Sequence, residues 1–220
     1  MTILAVTGLK REAEIVGGAG VVAVAGGGDA ASLRGKLDAL HGDIRGVISV
    51  GLAGALSPLL KVGEAVIADR VVQGRETWRC SDPWRVALAA KLSQTHQGPV
   101  AASDTILDNA ETKAALYDST GALAVDMESA IAARFAVRRN LPFAVLRVIS
   151  DDAAHVLPPA ALVAMKPDGG IAFARVLGSL LRHPLQVPGL IRTARASNKA
   201  FKELLRCANL SGVGFARPDL

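Results

Sequence analysis

Short apolar runs alternate along this chain with stretches whose apolar positions recur every three or four residues, the two signatures of buried strands and amphipathic helices. The runs predict strands over 3–7, 21–25, 47–50, 65–72, 100–103, 122–125 and 143–152. Helical spacing covers 9–16, 30–40 and 83–96, a segment opened by Asp108 or Asn109, a segment from the acids at 126–128 to about 139, then 160–181 and 190–205. Glycines punctuate the strand ends at 17–20, 26–28 and 51–54, while Pro184 and Pro188 separate the last two helical stretches. Strands alternating with helices predict an α/β fold, a single domain with a mixed central sheet flanked by helices.

Composition fits that fold and narrows the function. Half of the 220 residues are hydrophobic but only 4% are aromatic, so Ala, Val, Leu and Ile must build the core. No apolar run is long enough to span a membrane and the N-terminus lacks a signal-peptide pattern, which predicts a cytoplasmic protein. Cys80 and Cys207 have no metal-ligand spacing, and no metal site or resident cofactor is expected. The net charge of +5 is accounted for by six basic residues against Glu203 alone between 182 and 206. The body of the chain is therefore neutral, which argues against a nucleic-acid groove. In the segment 182–206 the basic residues interleave with Leu190, Ile191, Phe201, Leu204 and Leu205. This is the composition of a surface helix or of one lying on an anionic membrane.

The candidate chemistry gathers at strand ends. Arg147 interrupts the apolar run at 143–152, and a guanidinium there needs an anion, either a structural carboxylate or a ligand. Ser150, Asp151 and Asp152 follow at the carboxyl end, where open α/β sheets hold their ligands. Glu12 falls in the first helical turn after the first strand, and Asp126, Met127 and Glu128 fall at the mouth of another helix. Acids in those positions complement a helix dipole, and Glu128 could equally accept hydrogen bonds from the paired hydroxyls of a sugar. The glycines at 26–28 lack the spacing of a P-loop or a dinucleotide site and point only to close backbone approach.

Three junctions taken together, Val50-Gly51-Leu52-Ala53-Gly54-Ala55 with Lys61-Val62-Gly63-Glu64, Val125-Asp126-Met127-Glu128-Ser129-Ala130, and Arg147-Val148-Ile149-Ser150-Asp151, resemble the nucleoside phosphorylase and methylthioadenosine/adenosylhomocysteine nucleosidase superfamily. The resemblance covers residues 3–181, which sets a catalytic domain over 1–181 and a basic amphipathic tail over 182–220. Within the superfamily the chain looks most like the hopanoid-associated phosphorylases, linked to release of adenine from adenosylhopane. The resemblance implies a nucleoside phosphorylase-like fold, a homo-oligomer and an adenine nucleoside substrate, lipid-linked in the hopanoid case and reached by peripheral contact with the membrane through 182–206. It makes Asp151 the acid that protonates the departing purine, Glu12 the acid that orients the nucleophile, and Arg147 its neighbour. Met127 and Glu128 would hold the ribose. Ile106 and Leu107, with Ala53, Gly54 and Ser150, would flank the base. The nucleophile is either water or a phosphate co-substrate.

Three departures from relatives stand out. Leu52 replaces a common Ser or Thr, Ile106 replaces an aromatic residue over the base, and the link between the first two strands is short. They weigh against phosphorolysis and predict an open, apolar site near the ribose 5′ position. A methylthioadenosine or adenosylhomocysteine nucleosidase, or a silent nucleoside-binding protein of the same fold, are the rival expectations.

Overall fold

The computed structural model describes residues 2–156, 158 and 184–218, so the helix expected over 160–181 lies outside the described residues. The chain runs β1 (Thr2–Thr7), α1 (Lys10–Val16), β2 (Val21–Ala25), α2 (Ala30–Asp38), β3 (Ile44–Ala55), β4 (Ala65–Gln73), β5 (Glu76–Arg79), α3 (Asp82–Lys91), β6 (Thr95–Ala102), α4 (Ala110–Thr120), β7 (Ala124–Asp126), α5 (Ser129–Arg138), β8 (Phe143–Asp151) and α6 (Val187–Ser211). All eight strands join one mixed sheet in the order β2-β1-β3-β7-β6-β4-β5, with β8 bonded to both β3 and β4. The pairings β3–β8, β8–β4, β4–β6, β6–β7 and β7–β3 therefore close into a ring, and β1 and β2 extend it on one side.

Alternation along the strands builds two apolar layers, because successive side chains point to opposite faces. In β1, Leu4 and Val6 enter one layer and Ile3 and Ala5 the other; in β8, Phe143, Val145 and Ile149 are divided in the same way from Ala144, Leu146 and Val148. The first layer is covered by α5 through Ala132, Phe135 and Ala136. The second is covered by α3 through Trp84 and Leu88 and by α6 through Ala200, Leu204 and Cys207. With both faces covered, β8 is buried as its apolar run predicts, although it pairs parallel to β3 and antiparallel to β4.

Three differences from expectation have local causes. The strand expected over 47–50 runs on to Ala55, because its small residues pair with β8 on one side and β7 on the other across a register shift at Ala53/Gly54. The strand β5 was hidden by its polar sequence; it returns along β4 through a two-residue turn that Gly74 opens at φ 57°. The segment expected to stay helical to 96 stops at Lys91, where Leu92 turns extended; Gln94, at φ 64°, then turns the chain into β6 at Thr95.

The C-terminal segment is in part docked on the domain. Leu204 is fully buried in the second layer, and Phe201 is buried beneath the Arg11 guanidinium, 4.1 Å from its ring centroid. Burying a Leu or Phe side chain contributes roughly 1.5–3 kcal/mol, so these two residues hold the helix to the domain and are not free to enter a bilayer. Trp84 Nε1 donates to the carbonyl of Phe215 at 2.7 Å and fastens the end of the same segment. Among the described residues no helix is long and apolar enough to cross a membrane.

Candidate active site

Glu12 comes from the third position of α1, where a carboxylate accepts hydrogen bonds from the unpaired amides of the first helical turn. Its Oε2 accepts from Gly8 N and Leu9 N, both at 2.7 Å, and its Oε1 accepts from Leu52 N of β3 at 2.8 Å. Burial raises its pKa above the ordinary carboxylate range, while these amides and Arg147 oppose the rise. The room for this carboxylate is made by glycine: a Cβ on Gly51 would lie 2.8 Å from Glu12 Cδ, and one on Gly8 would lie 3.0 Å from Glu128 Oε1 and 3.4 Å from Glu12 Oε2. Gly8 therefore separates two acids that face one another closely.

Glu128 is buried at the N-terminal end of α5. Desolvation pushes its pKa up to about 7, opposed by Arg147 and assisted by Asp126 and Glu12. It lines a small cleft with Gly26, Asp29, Asp104, Met127 and Ile131. A larger surface depression, edged by Gly63, Glu64, His96, Glu203 and Arg206, contains none of the expected site residues.

Arg147 lies in the apolar row of β8 between Val145 and Ile149 and is fully buried. Its Nε stands 2.8 Å from Asp126 Oδ2. The N–H does not aim along that line, so the contact is an ion pair rather than a hydrogen bond. Nη2 donates to Ser49 Oγ at 2.5 Å and Ser129 Oγ at 3.2 Å, Nη1 reaches the Leu52 carbonyl at 3.5 Å, and Glu128 Oε2 is 3.8 Å from Nη2. Asp126 is fixed in turn by the amides of Glu128 (2.9 Å) and Ser129 (2.7 Å) and by the Ser129 hydroxyl.

Asp151 ends β8. Its Oδ1 is 2.9 Å from Ser150 Oγ, whose other neighbour is the carbonyl of Ala53 at 3.2 Å. Its Oδ2 pairs with the ammonium of Lys113, a side chain only 1% exposed. A Cβ on Gly54 would come within 3.0 Å of Oδ2, which explains the small residue beside it. Leu107 packs toward a minor cluster containing Val125, whereas Ile106 is 36% exposed on the same loop.

The structure thus brings together Glu12, Glu128 and Arg147, with Met127 beside them in the cleft, and sets Ala53, Gly54 and Ser150 against Asp151. Asp126, Ser49, Ser129 and Lys113 were absent from the expected set. Asp126 and Ser129 lie in the sequence motif already singled out, so their position was visible and only their task was not. Lys113 gave no signal, because α4 carries no clear apolar stripe and a lysine on such a helix reads as solvated. Among the described residues no group of three or more His, Cys, Asp or Glu converges as a metal site.

Residues 9–182 match the family described as the phosphorylase superfamily, and the chain belongs to it. It is an enzyme of the N-ribosyl hydrolase and nucleoside phosphorylase type. Solved structures agree on the fold. A 5′-methylthioadenosine/S-adenosylhomocysteine nucleosidase from S. pneumoniae with a transition-state inhibitor is similar at 20% identity and TM-score 0.62, covering 94% of this chain and 98% of that one. Futalosine hydrolase of Helicobacter pylori is similar at 16% identity and TM-score 0.63, covering 95% and 97%. No curated protein matches the sequence significantly.

Proposed function

We propose that the protein is a nucleosidase that hydrolyses the N-glycosidic bond of an adenine nucleoside, releasing adenine, and that its substrate carries a large apolar 5′ group as in adenosylhopane. The observation that carries the reading is the convergence of Glu12 and Glu128 beside the buried Arg147, with Asp151 at the carboxyl end of the same strand. Breaking a ribosyl C–N bond leaves a basic purine and a cationic, oxocarbenium-like sugar. Asp151 delivers a proton to purine N7, Glu128 binds the ribose hydroxyls through its two acceptor oxygens, and Glu12 takes the proton of a water attacking C1′. Met127 packs beneath the ribose, and Ile106 and Leu107 flank the base with Ala53 and Gly54.

Water is favoured over phosphate as the acceptor by the state of Arg147. Nη2 is engaged by Ser49 and Ser129, Nη1 faces the Leu52 carbonyl, Asp126 already balances the charge, and Leu52 offers no hydroxyl to an anion. The apolar 5′ group is supported by an exposed apolar surface near the start of α6. Val156, Leu185, Val187 and Ile191 are 59%, 94%, 40% and 46% exposed. That surface adjoins the chain leaving Asp151 through the contacts of His155 with Arg192 and Thr193. On the helix itself Val187, Ile191 and Leu205, rather than Phe201 and Leu204, are the exposed apolar side chains able to touch a membrane.

Adenine release from adenosylhopane and from 5′-methylthioadenosine tests the substrate assignment. A higher kcat/KM for the hopanoid nucleoside is expected. A higher value for methylthioadenosine would place the protein with the nucleosidases for small 5′ thioethers.

A further inference from the structure

A lysine is almost never fully buried unless paired, and Lys113 is buried with three acceptors around its ammonium. They are Asp151 Oδ2, the carbonyl of Asp152 at 3.0 Å and the carbonyl of His155 at 3.5 Å. All three N–H groups of Lys113 are thereby directed at the end of β8 and the turn that follows it. In this ion pair Lys113 is the donor and Asp151 the acceptor. The closest acid to it is the ammonium.

Resting on the nucleosidase reading above, we propose that Lys113 is the proton reservoir of the leaving-group acid, a positioning residue that acts through Asp151. An N–H bond of Lys113 breaks as an O–H bond forms on Asp151. That O–H bond then breaks as N7–H forms and the C1′–N9 electron pair passes to adenine. Water adds to C1′ and its proton goes to Glu12. Lys113 is left as a neutral amine and Asp151 as a carboxylate; afterwards Glu12 loses a proton to solvent and Lys113 regains one, which restores the site. The donor and acceptor are chemically matched, because a departing adenine anion is a much stronger base than a carboxylate and is comparable to an amine. The surroundings accept both states: in the neutral amine two N–H groups still reach the carbonyls of Asp152 and His155, and the lone pair can face a protonated Asp151.

Two substrates and two variants test this. A 5′-alkylthioadenosine needs a protonated leaving group, whereas the corresponding p-nitrophenyl riboside departs as a stable phenolate and does not. Lys113→Met is expected to lower turnover of the adenine nucleoside by about 100-fold or more, the usual scale for losing an acid, while p-nitrophenyl riboside turnover stays within about threefold. Lys113→Arg keeps the charge and the donors but cannot release a proton, so it is expected to be as slow on the adenine nucleoside as Lys113→Met. Equal losses on both substrates, or full recovery by Arg, would reduce Lys113 to a structural or purely electrostatic partner and overturn the relay. Wild-type cleavage with unchanged Lys113→Met overturns the relay alone, whereas failure of the wild type to cleave any adenine nucleoside removes the nucleosidase reading itself.

Discussion

Arg147 Nε and Asp126 Oδ2 stand 2.8 Å apart with both side chains shielded from solvent. Removing one member of a buried pair leaves the other charged and unpaired, which costs roughly 3–5 kcal/mol. Asp126→Ala is therefore expected to lower unfolding free energy by that amount in urea titrations, and Ser129→Ala by less, since Ser49 still holds Nη2. A loss below about 1 kcal/mol for Asp126→Ala would show that solvent or another acid replaces it.

Gly51 should be intolerant on two counts, its backbone at φ 155° and the Glu12 carboxyl group beside it. A Cβ at that position would strike the Glu12 carboxyl group at 2.8 Å. Gly51→Ala is expected to lower kcat by about 100-fold, the scale of a small misplacement of a reacting group, while circular dichroism stays native. Gly35→Ala in α2, where nothing lies within 4 Å, is the control and should raise stability by about 0.5–1 kcal/mol. Equal activities of the two variants would contradict the steric account.

The pH dependence of stability follows from Glu128. Its folded pKa is raised from 4.5 to about 7, so the folded state holds this proton where the unfolded state has lost it. Its contribution is complete below pH 4.5 and is lost as pH rises through about 7, an effect on the order of 3 kcal/mol. Glu128→Gln should flatten that part of the stability profile, measured by urea unfolding from pH 4 to 8. A wild-type profile that rises with pH across this window would reverse the assignment.

Activity should also report the two acids. Glu12 must be ionised to accept a proton from water, and burial raises its pKa. The acid limb of kcat/KM is therefore expected above the ordinary carboxylate range, and Glu12→Gln should abolish turnover without abolishing nucleoside binding, as measured by calorimetry. Asp151→Asn should behave likewise on adenine nucleosides; unchanged turnover would remove Asp151 from the leaving-group role.

Much of this was legible in the sequence because it is local. Apolar runs located seven of the strands, and Arg147 within one of them announced that a buried anion was needed. The sequence could not say which anion, because Asp126 meets Arg147 only when β7 and α5 are brought against β3 and β8. On position alone Glu12 read better as a helix-dipole acid; only the amide of Leu52, forty residues away, shows that it is held against β3. Lys113 was invisible for the same reason, since its three acceptors lie at the end of β8 and in the turn after it, and no periodicity links them to α4. The tail was legible only in part, because composition does not report that Phe201, Leu204 and Cys207 dock on the domain while Ile191 and Leu205 stay exposed.

The central claim is hydrolysis of an adenine nucleoside, and it is tested most directly by measuring adenine release with and without added phosphate and identifying the sugar formed. The expected result is adenine release at the same rate in both conditions, with the free pentose as product. A requirement for phosphate, with the pentose 1-phosphate as product, would contradict it and would mean that Arg147 gives up its serine and aspartate partners to bind the anion.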